Sequence, residues 1–143
     1  MFVIGGNISE NNFHEVYVAG QYFCCMIRIY GIHNCDTMQK AIKWLNAKGI
    51  EYEFHNYKEE GVSSELLERW LHHFPVDKLV NTRSTTYREL PDAEKSSISN
   101  KASAISLMMN NTSVIKRPVC DFGNGKFLLG WDEKAVTNLL AGE

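Results

Sequence analysis

The sequence predicts an α/β fold in which a parallel strand–helix–strand unit is followed by helices, an antiparallel hairpin and a last helix. Apolar residues alternate at 27–30 and again at 50–54, as half-buried strands require. Between these two segments they recur at helical spacing. Near the C-terminus, two strand-like runs flank the turn sequence Gly123-Asn124-Gly125. A chain of 143 residues suits one domain with one sizeable core.

The N-terminal unit is predicted as strand, helix and parallel strand. Residues 27–30 form the first strand, residues 31–34 a turn, and Asp36 and Thr37 are suited to the start of a helix. The buried face of that helix follows the i, i+3, i+4, i+7 rule at Met38, Ala41, Ile42 and Leu45. Lys48-Gly49 ends the helix, and residues 50–54 form the second strand. Two strands joined by one helix within about 30 residues are parallel.

The remaining elements complete a thioredoxin-like order with a helical insertion between the N-terminal βαβ and C-terminal ββα units. A helix follows Ser63 and stops at Pro75, and weaker helical segments cover 91–97 and 101–109. Residues 81–90 are too irregular to assign. Strand-like runs at 113–122 and 126–130 form the hairpin, and Asp132 caps a last helix.

Residues 1–25 differ from the rest of the chain, because Gly and Asn are mixed with isolated apolar residues. We interpret them as an N-terminal extension, either a start codon assigned too early or a disordered segment, with the thioredoxin-like domain at 26–143. The alternative is a real extra strand at a sheet edge, formed by VYVAGQYF. A protein that starts at Met26 should keep the fold, and its circular dichroism and thermal unfolding test this.

Composition and charge exclude several classes of function. Hydrophobic residues make up 44% and charged residues 22%, and the net charge is −2, so nucleic acid is not an expected partner. The sequence contains no polybasic run, no membrane-spanning stretch and no secretory signal. We therefore expect a cytoplasmic protein without membrane partners. The four cysteines and five histidines show no spacing typical of metal ligands or of a disulfide framework.

Cys35 lies at the first strand-to-helix junction, where a reactive thiol is expected. The N-terminus of a helix offers unpaired N–H groups and the positive end of the dipole, both of which favour a thiolate and lower its pKa. The alternative is a buried structural cysteine, but Cys35 is flanked by Asn34 and Asp36. Met38 occupies the second position of a Cys-x-x-Cys pair, so glutathione, another protein or Cys120 must supply a second thiol. Cys120 lies in an apolar strand run and is better explained as a core residue.

Two arginine-containing segments are candidates for binding an anion. IKRPV at 115–119 contains a proline inside a strand-like run, and a cis bond at Pro118 would hold Arg117 near a neighbouring loop. NTRSTT at 81–86 places Arg83 among hydroxyl side chains, which suits an oxyanion or a carboxylate. For each segment the alternative is a solvated surface arginine. His33 could assist the thiolate, although an exposed turn histidine is an equal interpretation.

Three stretches, IYGIHNCDT, LVNTRST and VIKRPV, together resemble the arsenate reductase family of the glutathione-coupled type, which includes the Spx-like proteins. The subgroup most similar is that of small bacterial arsenate-reductase-related thiol reductases. The resemblance spans Met26 to about Leu140. It implies Cys35 as the catalytic thiol, and Arg83, Arg117, Pro118 and Asn34 as residues that bind an oxyanion or glutathione.

The resemblance implies a glutathione-dependent thiol-disulfide reductase that uses one nucleophilic cysteine. Glutathione is the expected co-substrate, glutathione or glutaredoxin the expected partner, and no bound cofactor or metal is expected. One alternative is an arsenate reductase with glutathione and glutaredoxin, although Gly130 lies near the place of a family arginine in the hairpin. A second alternative is a non-catalytic thioredoxin-like regulator or binding module. In that case the thiol of Cys35 would keep the ordinary pKa of about 8.5. The Cys-x-x-Cys switch of Spx regulators cannot form with Met38.

Overall fold

The computed structural model describes residues 15–18, 21–24, 26–123 and 125–141. Strands β1 (Glu15–Val18) and β2 (Gln21–Cys24) pair antiparallel in a two-stranded sheet of their own, with Glu15 opposite Cys24. This differs from the alternative in which VYVAGQYF adds one strand to the edge of the main sheet. Most of the predicted extension at 1–25 lies outside the described residues, and the domain boundary at 26 stays a prediction.

The main sheet has four strands in the order β4-β3-β5-β6. Its members are β3 (Ile27–Gly31), β4 (Tyr52–Asn56), β5 (Val119–Asp121) and β6 (Phe127–Leu129). Strands β3 and β4 are parallel, whereas β5 pairs antiparallel with both β3 and β6. The predicted βαβ unit and hairpin are therefore confirmed, and the two central strands bring the N-terminal and C-terminal units together.

One face of the sheet is covered by helices α1 (Asp36–Lys48) and α8 (Glu133–Leu140). Helix α1 buries Met38, Ala41 and Leu45, and it ends at Gly49, whose φ of 67° suits a residue without a side chain. The carboxylate of Asp132 accepts hydrogen bonds from the N–H groups of Lys134 and Ala135, as predicted for a helix cap. These helices pack on Ile27, Ile29, Cys120 and Phe122.

The inserted helices cover the opposite face. They are α2 (Tyr57–Glu60), α3 (Ser64–His73), α4 (Val76–Leu79), α5 (Thr85–Glu89), α6 (Asp92–Ser97) and α7 (Lys101–Asn110), followed by a 3₁₀ turn at Thr112–Val114. Tyr30 and Val119 belong to this core, whereas their neighbours Ile29 and Cys120 belong to the other. Alternating side chains of one strand point to opposite faces, so the two cores lie on either side of the sheet.

Several details differ from the sequence-based prediction, which did not include the short helices α2 and α4. The segment at 81–90 contains α5, because the Ser84 hydroxyl accepts a hydrogen bond from the N–H of Tyr87 and begins a helix. The strand predicted from residue 113 begins only at Val119, since Thr112–Val114 form the 3₁₀ turn and Pro118, directly before β5, has no N–H to donate. Strand β4 runs from 52 to 56 rather than from 50 to 54.

Candidate active site

A cleft of about 530 Å³ opens beside the N-terminus of α1. Segments from three parts of the chain line it: the start of α1, the end of α4 with the loop after it, and the segment before β5. The lining residues are Cys35, Thr37, Asp77, Lys78, Val80, Asn81, Thr82, Arg83, Lys116 and Arg117. The cleft thus brings together Cys35 and the two arginines that the sequence singled out.

Cys35 is the N-cap residue of α1 and is half-buried. Its backbone is extended (φ −142°, ψ 126°), its N–H donates to the carbonyl of His33 at 3.0 Å, and its carbonyl accepts from the N–H of Gln39 at 3.0 Å. The side chain forms no capping hydrogen bond. The sulfur therefore lies at the positive end of the helix dipole with part of its surface open to the cleft. The expected partial exposure is confirmed, and the reactivity stays a prediction.

Backbone pairing joins two distant segments that carry basic residues of the cleft. Val80 and Ile115 form an antiparallel bridge. On either side of it, the N–H of Lys116 donates to the carbonyl of Leu79 at 2.8 Å, and the N–H of Asn81 donates to the carbonyl of Val114 at 2.6 Å. The loop after α4 is therefore held against the segment that leads into β5.

Arg83 lies in a turn that Asn81 organises. The Asn81 side-chain oxygen accepts from the N–H of Arg83 at 3.1 Å, and its backbone carbonyl accepts from the N–H of Ser84 at 3.1 Å. Such Asx turns hold the backbone while leaving the next side chains free. The guanidinium of Arg83 is exposed and can reach a ligand in the cleft.

Arg117 and Pro118 are joined by a cis peptide bond, as the sequence predicted. Arg117 is half-buried and lines the cleft, whereas Pro118 is buried behind it and its carbonyl accepts from the N–H of Gly130 at 2.8 Å. Asn34 is exposed in the bend before Cys35 and lies outside the cleft lining. The binding roles expected of Pro118 and Asn34 stay predictions.

The charge of the cleft is mostly positive. Lys78, Arg83, Lys116 and Arg117 supply cationic side chains, and Asp77 is the one carboxylate among the lining residues. Sequence reasoning missed both lysines and Asp77. Lys116 is next to Arg117 in the IKRPV stretch, which was a usable signal, but nothing local indicated that Asp77 and Lys78 would face the same space.

The hairpin leaves the cleft without a further cation. Among the described residues, none after Arg117 lines the cleft. Gly130 follows β6 with φ of 83°, a conformation that disfavours residues with a side chain. Among the described residues, the cations available to a ligand in the cleft therefore come from α4, the loop after it and the segment before β5.

Cys120 is fully buried in β5 opposite Ile29, which confirms its interpretation as a core residue. Burial raises the pKa of its thiol to about 12. Cys35 packs against the edge of the same core, and both thiols are free. Within the described chain, Cys120 is thus sealed and protonated at neutral pH.

Iodoacetamide at pH 8 should modify Cys35 and leave Cys120 unmodified in the folded protein. The pH lies far below the pKa of about 12 at Cys120, so its thiolate is scarce, and the surrounding core excludes the reagent. Peptide mass mapping after a timed reaction measures both sites. In urea, Cys120 should react readily, and equal labelling of the two cysteines in the folded state would contradict the burial.

None of the histidines that the structure describes lines the cleft. His33 is exposed, and its ring packs on that of Phe54 with 4.5 Å between centroids, while His73 packs on Phe127 at the same distance. Among the described residues, the structure contains no group of three or more potential metal-ligating side chains. Within that same part of the chain, no helix is long and apolar enough to cross a bilayer.

The fold and the position of Cys35 define a thioredoxin-like protein with a cysteine at its first strand-to-helix junction. The sequence profile of the ArsC family matches residues 30–139, and the chain belongs to this family. It is 43% identical over 109 residues to an uncharacterized protein of Haemophilus influenzae, an alignment that covers 76% of this chain and 94% of the relative.

Two solved structures have the same fold. The YFFB (PA3664) protein is 38% identical, with a TM-score of 0.76, over 80% of this chain and 99% of its own. An arsenate reductase (ArsC) related protein from Brucella melitensis is 42% identical, with a TM-score of 0.62, over 79% of this chain and 92% of its own. The expected thioredoxin-like class with a helical insertion is confirmed.

Proposed function

We propose that the protein is a glutathione-dependent thiol-disulfide reductase that uses Cys35 as its single nucleophile. The observation that carries the proposal is that one cleft is lined by the half-buried thiol of Cys35, at a helix N-terminus, and by Arg83 and Arg117. A helix N-terminus favours the thiolate, and guanidinium groups bind carboxylates through paired hydrogen bonds. Family membership supports thiol-based chemistry at this position.

The reaction proceeds by three exchanges at sulfur, of which the first two involve Cys35. The Cys35 thiolate attacks one sulfur of the substrate disulfide, forms a mixed disulfide and releases the other sulfur as a thiolate, which takes up a proton. A glutathione thiolate then attacks the mixed disulfide and regenerates Cys35. A second glutathione completes the reduction, so two molecules of glutathione are oxidised to their disulfide for each substrate disulfide reduced.

The chain itself offers no resolving thiol near Cys35 in the part that the structure describes. Met38 takes the place of a second cysteine and is fully buried on α1, and Cys120 is sealed in the core. We therefore infer that an external thiol completes the reaction. This requirement supports glutathione, or glutaredoxin carrying glutathione's electrons, as the partner rather than an internal disulfide.

Arsenate reduction with glutathione and glutaredoxin is the second candidate, favoured by membership of the ArsC family. It would use the same nucleophile and the same two arginines. The described cleft has no side chain from the hairpin, and Gly130 stands near the place where the family arginine was expected. A compact oxyanion with two or three charges would thus lack one fixed donor, which ranks arsenate second.

A steady-state assay distinguishes the candidates. The purified protein is given either a mixed disulfide of glutathione with a small thiol or arsenate with glutaredoxin, each with glutathione and NADPH-coupled glutathione reductase. The proposal predicts turnover of the disulfide at rates well above the uncatalysed exchange and little reduction of arsenate. Turnover of arsenate alone would favour the second candidate, and no turnover of either would favour a regulator or binding module.

A further inference from the structure

Asp77 is the one carboxylate among the residues that line a basic cleft, and Lys78 follows it directly. Both lie in α4, whose backbone is held by hydrogen bonds from the N–H groups of Lys78 and Leu79 to the carbonyl of Pro75. Their side chains are exposed, and neither forms an ion pair with any described residue. An unpaired negative charge among four cations needs an explanation if the cleft only attracts anions.

An adjacent carboxylate and ammonium are complementary to the two charges of a free α-amino acid. The carboxylate can accept hydrogen bonds from the α-ammonium, and the lysine can donate to the α-carboxylate. We propose that Asp77 and Lys78 recognise the free α-amino-acid end of the thiol co-substrate. In glutathione this is the γ-glutamyl end, and the inference rests on the proposed use of glutathione at this cleft.

The remaining cations suit the rest of such a ligand. Lys116, Arg83 and Arg117 lie on the segments that the Val80–Ile115 bridge joins, and Cys35 lies at the start of α1. A tripeptide with sulfur at its centre carries a zwitterionic end and a second carboxylate at the other end. Asp77 and Lys78 would bind the zwitterionic end. The two arginines and Lys116 would bind the second carboxylate, and Cys35 would react with the sulfur between these two ends.

Asp77 therefore selects against ligands that are merely anionic. A compound without an α-ammonium would place a carboxylate or an apolar chain beside Asp77 and lose the ion pair. Because both side chains are exposed, each pair should change affinity only about three- to fivefold. The effect is small but specific to one charged group of the ligand, which makes it separable from general electrostatics.

The test pairs each variant with the glutathione analogue that lacks its partner. Asp77→Asn is compared on S-methylglutathione and on its desamino analogue, which has no α-ammonium. Lys78→Gln is compared on S-methylglutathione and on the analogue without the α-carboxylate. Binding is measured by isothermal calorimetry or by NMR titration, and kcat/KM is measured for the corresponding thiols. Asp92→Asn, an exposed carboxylate on α6 outside the cleft, is the matched control.

The wild-type protein should bind S-methylglutathione about three- to fivefold more tightly than the desamino analogue. Asp77→Asn should erase that preference because it lowers the affinity for S-methylglutathione alone. Simple removal of a negative charge would instead strengthen both anionic ligands. Lys78→Gln should erase only the preference for the α-carboxylate, and Asp92→Asn should change neither. Equal binding of the two ligands by the wild type, or an equal change for both in Asp77→Asn, would overturn the inference.

The two proposals fail in different ways. If glutathione supports no turnover but Asp77→Asn still erases the binding preference, the proposed reductase activity is rejected. The proposed recognition of the α-amino-acid end is then retained. Turnover that does not distinguish the analogues would leave the reductase and remove the recognition. Absence of any binding of S-methylglutathione at millimolar concentration would overturn the assignment of Asp77 and Lys78.

Discussion

Cys35→Ser should lower the rate of glutathione-dependent disulfide reduction by at least about a thousandfold, because loss of a catalytic nucleophile removes the covalent route entirely. A serine hydroxyl is not ionised at neutral pH and cannot form a mixed disulfide. The same position is half-buried at a helix start, where serine is a good N-cap, so the variant should fold. The measurements are kcat/KM with the mixed disulfide and the mass of the peptide that contains residue 35 after exposure to oxidised glutathione.

Cys120→Ala is the matched control for that variant. It removes the other described free thiol, and the small cavity that it leaves in the core should lower stability without affecting turnover. The peptide that contains Cys35 should gain the mass of one glutathione in the wild type and in Cys120→Ala, and the corresponding peptide of Cys35→Ser should gain none. Turnover retained in Cys35→Ser, or lost in Cys120→Ala at a temperature where that variant is folded, would reject Cys35 as the only nucleophile.

Arg117→Gln should lower kcat/KM for glutathione by about tenfold, and Arg83→Gln by about threefold. A charge-assisted hydrogen bond contributes about 1.5–3 kcal/mol, which is reduced at exposed sites. Arg117 is half-buried and Arg83 is exposed, so the larger loss is expected at Arg117. Arg117→Lys should recover only part of the activity, because an ammonium cannot reproduce the paired hydrogen bonds of a guanidinium.

Arg69→Gln serves as the control for the arginine series, since Arg69 is exposed on α3 and lies outside the cleft lining. It removes the same charge from the protein and should change kcat/KM by less than about twofold. The losses at Arg83 and Arg117 should also shrink at high salt, because screening weakens exposed ion pairs in the wild type. Equal effects in all three variants would show that only net charge matters.

The residues around Cys35 show how far local pattern can reach. The alternation in β3, the apolar spacing of α1 and the Gly49 stop are all short-range features, so the position of Cys35 at the helix start followed from about 20 consecutive residues. The cap at Asp132 was predicted for the same reason. The cis bond before Pro118 followed from a proline in a strand-like run.

The composition of the cleft could not be predicted in this way. The Val80–Ile115 bridge pairs two segments that are far apart in the chain. It brings Asp77 and Lys78 into the same cleft as Lys116 and Arg117. Helix α5 was missed because its first residue depends on a single hydroxyl cap within a polar stretch. Each of these features arises from a specific contact rather than from a repeating pattern.

The sequence by itself determined the order of the four strands of the main sheet and of the longer helices, the place of the thiol at a helix start and the absence of a second cysteine at position 38. These are properties of hydrophobic period and residue type, which a chain carries whether folded or not. Only the tertiary structure decided which charges surround that thiol. That outcome depends on backbone hydrogen bonds and packing between distant segments, which form when the two faces of the sheet are buried.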